Sequence, residues 1–313
     1  MSLFSKYKLN YLIPIAFVGI LLLSAFPNNG KTKEVTPPTT LDNSKFDKYW
    51  YQGKAEVTSY NLKQARYGEI RNGSAVFVFV TEPFSKSKQV KLNNTSRNTE
   101  DVVKVLKMNF TKKFTTGIYD YSILQSIFTP IDLKNYKHSI KVSTSLQEWC
   151  GHTYTQLNLQ SYKYKILLKS YFETEGDQEY QIEQAMLEDE IWNLIRISPT
   201  ALPIGDIQLI PNTATARLRH TALDVENAFA TLREKESNKN LMTYTVEFTA
   251  SQRTLSIDYY KKFPHEIEGW TETYIDNGKE LSTTAIRNKT ILSDYWSKYR
   301  VQDESLRQEL GLE

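Results

Sequence analysis

Apolar and polar residues alternate with a period of two along most of this chain. In "TGIYDYSILQSIF", Tyr119, Tyr121, Ile123 and Ile127 fall on one face, and Asp120, Ser122 and Ser126 on the other with Leu124 and Phe128. Period two is the signature of a strand. "YKYKILLKSYF" repeats it: Tyr162, Tyr164, Ile166, Leu168 and Phe172 alternate with Lys163, Lys165 and Lys169, giving one wet basic face and one apolar aromatic face. "ARYGEIRNGSAVFVFVTEPF" predicts a hairpin turning at Asn72-Gly73. Its "VFVFV" is apolar on both faces, so that strand is expected to be covered on both sides.

"HSIKVSTSLQEWCGHTYTQLNLQ" reads as further strand, as do "DIQLIP", "ATARLRH", "ENAFATLRE", "MTYTVEFT", "RTLSIDYY", "HEIEGWTETYI" and "ELSTTAIRNKTI", with a turn at Asp276-Asn277-Gly278. Only "QIEQAMLEDEIWNLIRI" (Gln181–Ile197) has helical spacing, with Ile182, Met186, Ile191, Leu194 and Ile195 on one side and Pro199 beyond its end. "DESLRQELGLE" predicts a short terminal helix starting at Asp303 and stopping at Gly311. The expected fold is mainly β: curved antiparallel sheet, a half-open barrel or sandwich resembling a β-clam, with one long helix and a short C-terminal helix.

The first residues break this pattern. Lys6 and Lys8 precede an apolar run from Tyr11 to Phe26, and Leu23–Ala25 offers a small residue for a signal peptidase. The run is ~16 residues against the ~20 of a comfortable membrane span, so residues 1–26 are read as a signal peptide or, uncleaved, as an inner-membrane anchor. Residues 27–45 are polar and proline-bearing and read as a disordered linker, leaving 46–313 as a β-rich globular domain. The expected location is the periplasm or cell envelope. Phe26 stands where a lipoprotein would carry its lipidated cysteine, and a lone Cys excludes an internal disulfide.

Composition narrows the function classes. The formal charge of +3 includes the leader's Lys6 and Lys8, too little concentrated basic charge for a nucleic-acid partner. Twenty Tyr and fourteen Phe beside twelve Gly suit broad sheet better than a nucleotide-binding fold. There is no phosphate-loop, dinucleotide or GxSxG motif and no metal-ligand spacing among His138, His152, His220 and His265, so no cofactor or metal is expected.

Two constellations offer chemistry. Cys150 and His152, with Glu148 to orient the imidazole, form a candidate nucleophilic set for a hydrolase or transferase. On a strand their Cα atoms lie ~6.6 Å apart, and convergence needs a bulge at Gly151. The bland alternative is a buried Cys acting as a small hydrophobe. "ARLRH" places Arg217 and Arg219 on one strand face, an anion clamp if inward, surface or salt-bridged charge otherwise. Glu266, Glu268, Trp270 and Glu272 share a face that reads as a solvated acidic edge. The strand aromatics Tyr119, Tyr121, Tyr154, Tyr162, Tyr164 and Trp270, with Trp149, are the candidate ligand-binding residues, lining an apolar cavity if the sheet does not fill itself.

"WYQGKAEVTSYNLKQARYGEIRNGSAVFVFVTEPF", "TGIYDYSILQSIF", "QEWCGHTYTQLN" and "RLRH" together resemble, from Trp50 to Leu312, a family of exported Bacteroidota proteins often labelled septum formation inhibitor Maf. The Ser-x-Ser-Pro-Arg-Arg motif of Maf nucleotide pyrophosphatases is absent, so the resemblance implies location and no catalytic residue. "EFTASQRTLSIDYYKKFPHEIEGWTE" looks like the β-clam of periplasmic lipoprotein carriers, a likeness of fold. The leading expectation is a non-enzymatic envelope protein binding a lipid-like or other apolar small molecule. The alternatives are the Cys150/His152 enzyme and a structural or partner-binding envelope protein.

Overall fold

The computed structural model describes residues 43–96 and 98–312. The expected leader and most of the linker lie outside the described residues. Residues 43–45 of that linker begin the first helix, α1 (Asn43–Trp50). Eight strands follow: β1 (Ala55–Arg66), β2 (Glu69–Ser85), β3 (Val102–Thr116), β4 (Tyr119–Pro130), β5 (Lys141–Glu148), β6 (Gly151–Gln160), β7 (Lys163–Ser170) and β8 (Gln178–Glu183). Then come β9 (Met186–Leu187), α2 (Ile191–Ile197), β10 (Gly205–Ile210), α3 (Thr213–Arg219) and β11 (Glu226–Glu234). β12 (Leu241–Phe248), β13 (Arg253–Tyr260), β14 (Ile267–Asp276), β15 (Lys279–Ser293) and α4 (Ser305–Glu309) complete the chain.

All fifteen strands join one open sheet, in the order β8 to β1, then β15 down to β9. Neighbours are antiparallel except β9 and β10, which run parallel. The mainly β expectation therefore holds. The two free edges, β8 and β9, are joined by Gln184 and Ala185 alone. At 3.8 Å per Cα step, Glu183 and Met186 are no more than about 11 Å apart. Laid flat, fifteen strands at ~4.8 Å spacing would put the edges roughly 65 Å apart.

Where the alternation was clean, it reports the inner face correctly: Tyr121, Ile123 and Ile127 on β4 are buried, as are Tyr164 and Ile166 on β7. Phe77 and Phe79 point into the main core. The other face of that strand packs Val76, Val78 and Val80 against Ile291, Leu310 and Leu312, so the second cover is the C-terminal segment. That segment is helical as expected, with Gly311 at φ +63° just beyond it.

Four local expectations need correction. The β1–β2 turn is Tyr67-Gly68, both at positive φ (57° and 75°), and Asn72-Gly73 lies inside β2. Glycine at 73 answers a different need: a Cβ there would sit 2.2 Å from the Lys113 carbonyl oxygen on β3. Asn277-Gly278, at 50° and 74°, is a turn as read; positive φ at both central residues matches the strand twist. The long helix over Gln181–Ile197 is not present. Gln178–Glu183 is strand, Ile182 pairs with Tyr164, a 3₁₀ turn covers Glu188–Glu190, and α2 keeps only seven residues. Helical spacing misled because the acidic residues between the apolar ones are buried too.

"ATARLRH" is helix, not strand. Asn212 Oδ1 accepts from the amides of Ala214 and Thr215, both at 3.0 Å, and His220 closes α3 in the left-handed region. Finally, β14 carries an extra residue opposite Asp258–Tyr259. This bulge splits the supposed acidic face. Trp270 and Glu272 turn inward, while Glu266 and Glu268 pair with Arg287 at 3.1 and 2.9 Å.

The main core cluster reaches from α1 to β15, and all seven residues of α2 are buried. At its centre, Trp192 of α2 meets Phe77 (5.3 Å), Trp270 (5.4 Å) and Phe110 (6.0 Å between ring centroids). α2 thus contacts β2 and β3 from one half of the strand order and β14 from the other. Arg196 of α2 makes a two-pronged pair with Glu56 of β1, which also accepts from Tyr49 of α1. Burial opposes the Glu56 charge, yet the Arg196 guanidinium holds its pKa below the usual carboxylate value.

Candidate functional site

Three consecutive acids, Glu188, Asp189 and Glu190, follow β9 and are all buried. Charged groups are rarely buried unless paired, and each of these has its own partners. Glu188 accepts from both terminal nitrogens of Arg253 on β13, Nη1 at 2.7 Å, and from the Asn212 amide at 2.9 Å. Arg253 reaches on to Glu272 of β14 at 3.1 Å and lies 4.0 Å over the Phe248 ring. Lys112 of β3 is buried nearby; burial lowers its pKa, and the Glu272 and Glu188 carboxylates counter that.

Asp189 turns toward the other half. Its Oδ1 accepts from Gln125 of β4 (2.7 Å), Asn212 (2.9 Å) and the Thr213 hydroxyl (3.1 Å), and its Oδ2 from the Thr213 amide (3.2 Å). Burial and the Glu188 charge still push its pKa up to about 7. Raised above its usual 3.8, the carboxyl favours folding most below pH 3.8, and that contribution is lost as pH rises to about 7. Glu56, shifted down, contributes stability above its usual 4.5 and loses it only as pH falls below that. The stability difference between the parent and Asp189→Asn is therefore expected to change by a few kcal/mol across pH 4–8. Urea titrations along that range check it, and a difference constant with pH would refute the assignment.

Glu190 faces the connection between β4 and β5. It accepts from His138 Nδ1 (2.9 Å), from the Leu187 amide (3.2 Å) and from the Ser139 amide. Since a carboxylate only accepts, Nδ1 carries the proton, leaving Nε2 for a ligand. His138 borders a cleft of about 510 Å³ beside the link between β8 and β9. Leu133, Met186, Leu194, Ala201 and Ile207 supply apolar wall; Lys137, His138, Gln184 and Gln208 supply polar groups. The volume is within the ~300–1,000 Å³ of small-molecule sites.

A smaller cavity of about 140 Å³ lies between β6, β7, β8 and α3. Arg217 and His220 both contact Glu175 there at 2.8 Å, and Tyr180 of β8 donates to the Leu223 carbonyl at 3.3 Å. Arg217 is thus buried and salt-bridged. Arg219 points elsewhere, to the Ser251 carbonyl and over Tyr274.

The aromatics singled out from sequence do not converge on the larger cleft. Tyr121 stacks on Phe114 (4.8 Å) and its hydroxyl meets Tyr67; Tyr119 is half-buried beside it. Trp270 belongs to the central ring cluster. Tyr164 is buried and donates to the Ser139 carbonyl at 2.7 Å, directly behind His138. Tyr154 is half-buried, with its hydroxyl on Gln156. Trp149 (69% exposed) and Tyr162 (82% exposed) occupy turns at opposite ends of β6.

Cys150 is not on a strand: with Trp149 it forms the exposed β5–β6 turn, before His152 on β6. The Glu148 carboxylate accepts from the Cys150 amide at 2.8 Å and raises the thiol pKa by hydrogen bonding and charge. That is the wrong direction for a nucleophile.

The His138–Glu190 pair escaped sequence reading because its members lie 52 residues apart, on a loop and a 3₁₀ turn. The one available signal was three successive acids inside an apolar run. Among the described residues no cluster suited to a metal ion is present, and no helix is long and apolar enough to cross a membrane. Comparison with family models, curated proteins and solved structures gives no significant match.

Proposed function

We propose that this chain is an exported cell-envelope protein that holds a lipid-like molecule in the cleft between the free edges of a curved, clam-like sheet. The carrying observation is the apolar-walled cleft beside Gln184-Ala185. The short link between the edges, and the contacts of the 188–219 segment with β4 and β6 as well as β13 and β14, support the curvature. α2 and α3 occupy the inner face, so the ligand's place is the seam and not the sheet interior. Export rests on Lys6, Lys8 and the Tyr11–Phe26 run.

Protein purified from its own envelope without detergent exchange is expected to carry adducts of a few hundred daltons in native mass spectrometry. An Ala185→Trp variant, filling the cleft without touching the buried ion pairs, should fold with an unchanged circular dichroism spectrum and lose them. Equal adduct levels in both, or none in the parent, would count against the reading.

A further inference from the structure

We infer that the ligand of this cleft is an anionic amphiphile, its acidic head held by His138 and Lys137 while its chain lies along the apolar wall; this rests on the cleft reading above. The charge arrangement argues for it. Glu190 lines the cleft but is turned away from a ligand by three donors: His138 Nδ1, the Ser139 amide and the Leu187 amide. What faces a ligand is an imidazole, the ammonium of exposed Lys137, and the amides of Gln184 and Gln208. A cationic head would meet Lys137, and a purely apolar ligand would leave these groups without water or partner.

An acidic head completes the set. The head is placed at His138 Nε2, the ring nitrogen that the buried Glu190 carboxylate leaves open. The Nδ1 hydrogen bond to that carboxylate fixes the ring orientation. Tyr164 supports it from behind by holding the Ser139 carbonyl. Leu133, Met186, Leu194 and Ile207 then cover the chain, and their apolar burial supplies affinity that the head alone does not.

Three probes of equal chain length separate the possibilities: hexadecanoic acid, hexadecyl phosphate and hexadecanol, titrated by calorimetry into the full folded chain. At least one acidic probe is expected to bind ten-fold or more tightly than hexadecanol, the stronger one telling carboxylate from phosphate. His138→Gln and Lys137→Ala should each reduce acidic-probe affinity several-fold and leave hexadecanol unchanged. Because Lys137 is exposed, its variant remains informative should His138→Gln disturb folding. Hexadecanol binding as tightly as both acids, or variants that weaken all three alike, would overturn the head-group assignment while leaving the cleft reading intact. Failure of all three to bind would overturn both.

Discussion

Arg253→Ala is expected to destabilise the folded protein by about 3–5 kcal/mol, the cost of stranding buried charge. Arg253 is 2% exposed and pairs with Glu188 and Glu272, each nearly as buried. Its removal leaves two carboxylates facing each other with only buried Lys112 near, itself disfavoured as a cation. The same change unties Glu188 from β13, leaving the Thr215 hydroxyl on Glu272 to hold the segment to β14. Arg253→Met with Glu188→Leu and Glu272→Leu should recover much of the loss, since a well-packed apolar replacement for a buried ion group is often neutral. Urea unfolding followed by Trp fluorescence measures both. A loss below about 1 kcal/mol for the single variant would mean the pairs are hydrated and the segment is not clamped as described.

Trp192→Ala should cost a similar amount, about 3–5 kcal/mol, by opening a large cavity at the centre of the core. The indole packs on a cluster in which Phe77 and Phe110 also touch Trp270 (5.2 and 5.4 Å between centroids), so its loss removes contacts to both halves of the strand order at once. Its ring nitrogen is buried with no hydrogen-bond partner among the described residues. Trp192→Phe therefore gives up packing area and no hydrogen bond, and should cost less than half as much. If the Phe and Ala variants prove equally destabilised, the hub is not packed as the ring distances indicate.

Alternation of side chains made the strands legible, and Asn277-Gly278 made one turn legible. The Tyr67-Gly68 turn was hidden because tyrosine rarely advertises positive φ, while Asn72-Gly73 advertised it falsely in a strand that needs glycine for close approach to β3. Period alone failed from Gln181 to Ile197. Strand, 3₁₀ turn and helix succeed one another there, and buried acids hold them through partners on distant strands. At α3 the cap at Asn212 outweighed the β-leaning alternation of Thr213 to Leu218. The site was less legible than the fold. Its pairs, Glu190 with His138 and Glu188 with Arg253, are long-range, and local spacing carries no record of them. Cys150 and His152 drew attention by adjacency, but a turn places the thiol beside a carboxylate at the surface.

The cleft itself can be mapped directly. A photoactivatable hexadecanoic acid, irradiated with the full chain and located by peptide mass spectrometry, is expected to label Leu133–His138, Gln184–Leu194 and Ala201–Gln208, with labelling competed by unlabelled acid and absent in Ala185→Trp. Labelling spread over exposed turns such as Trp149 and Tyr162, or unaffected by competitor and by the filled cleft, would contradict a ligand site between the sheet edges.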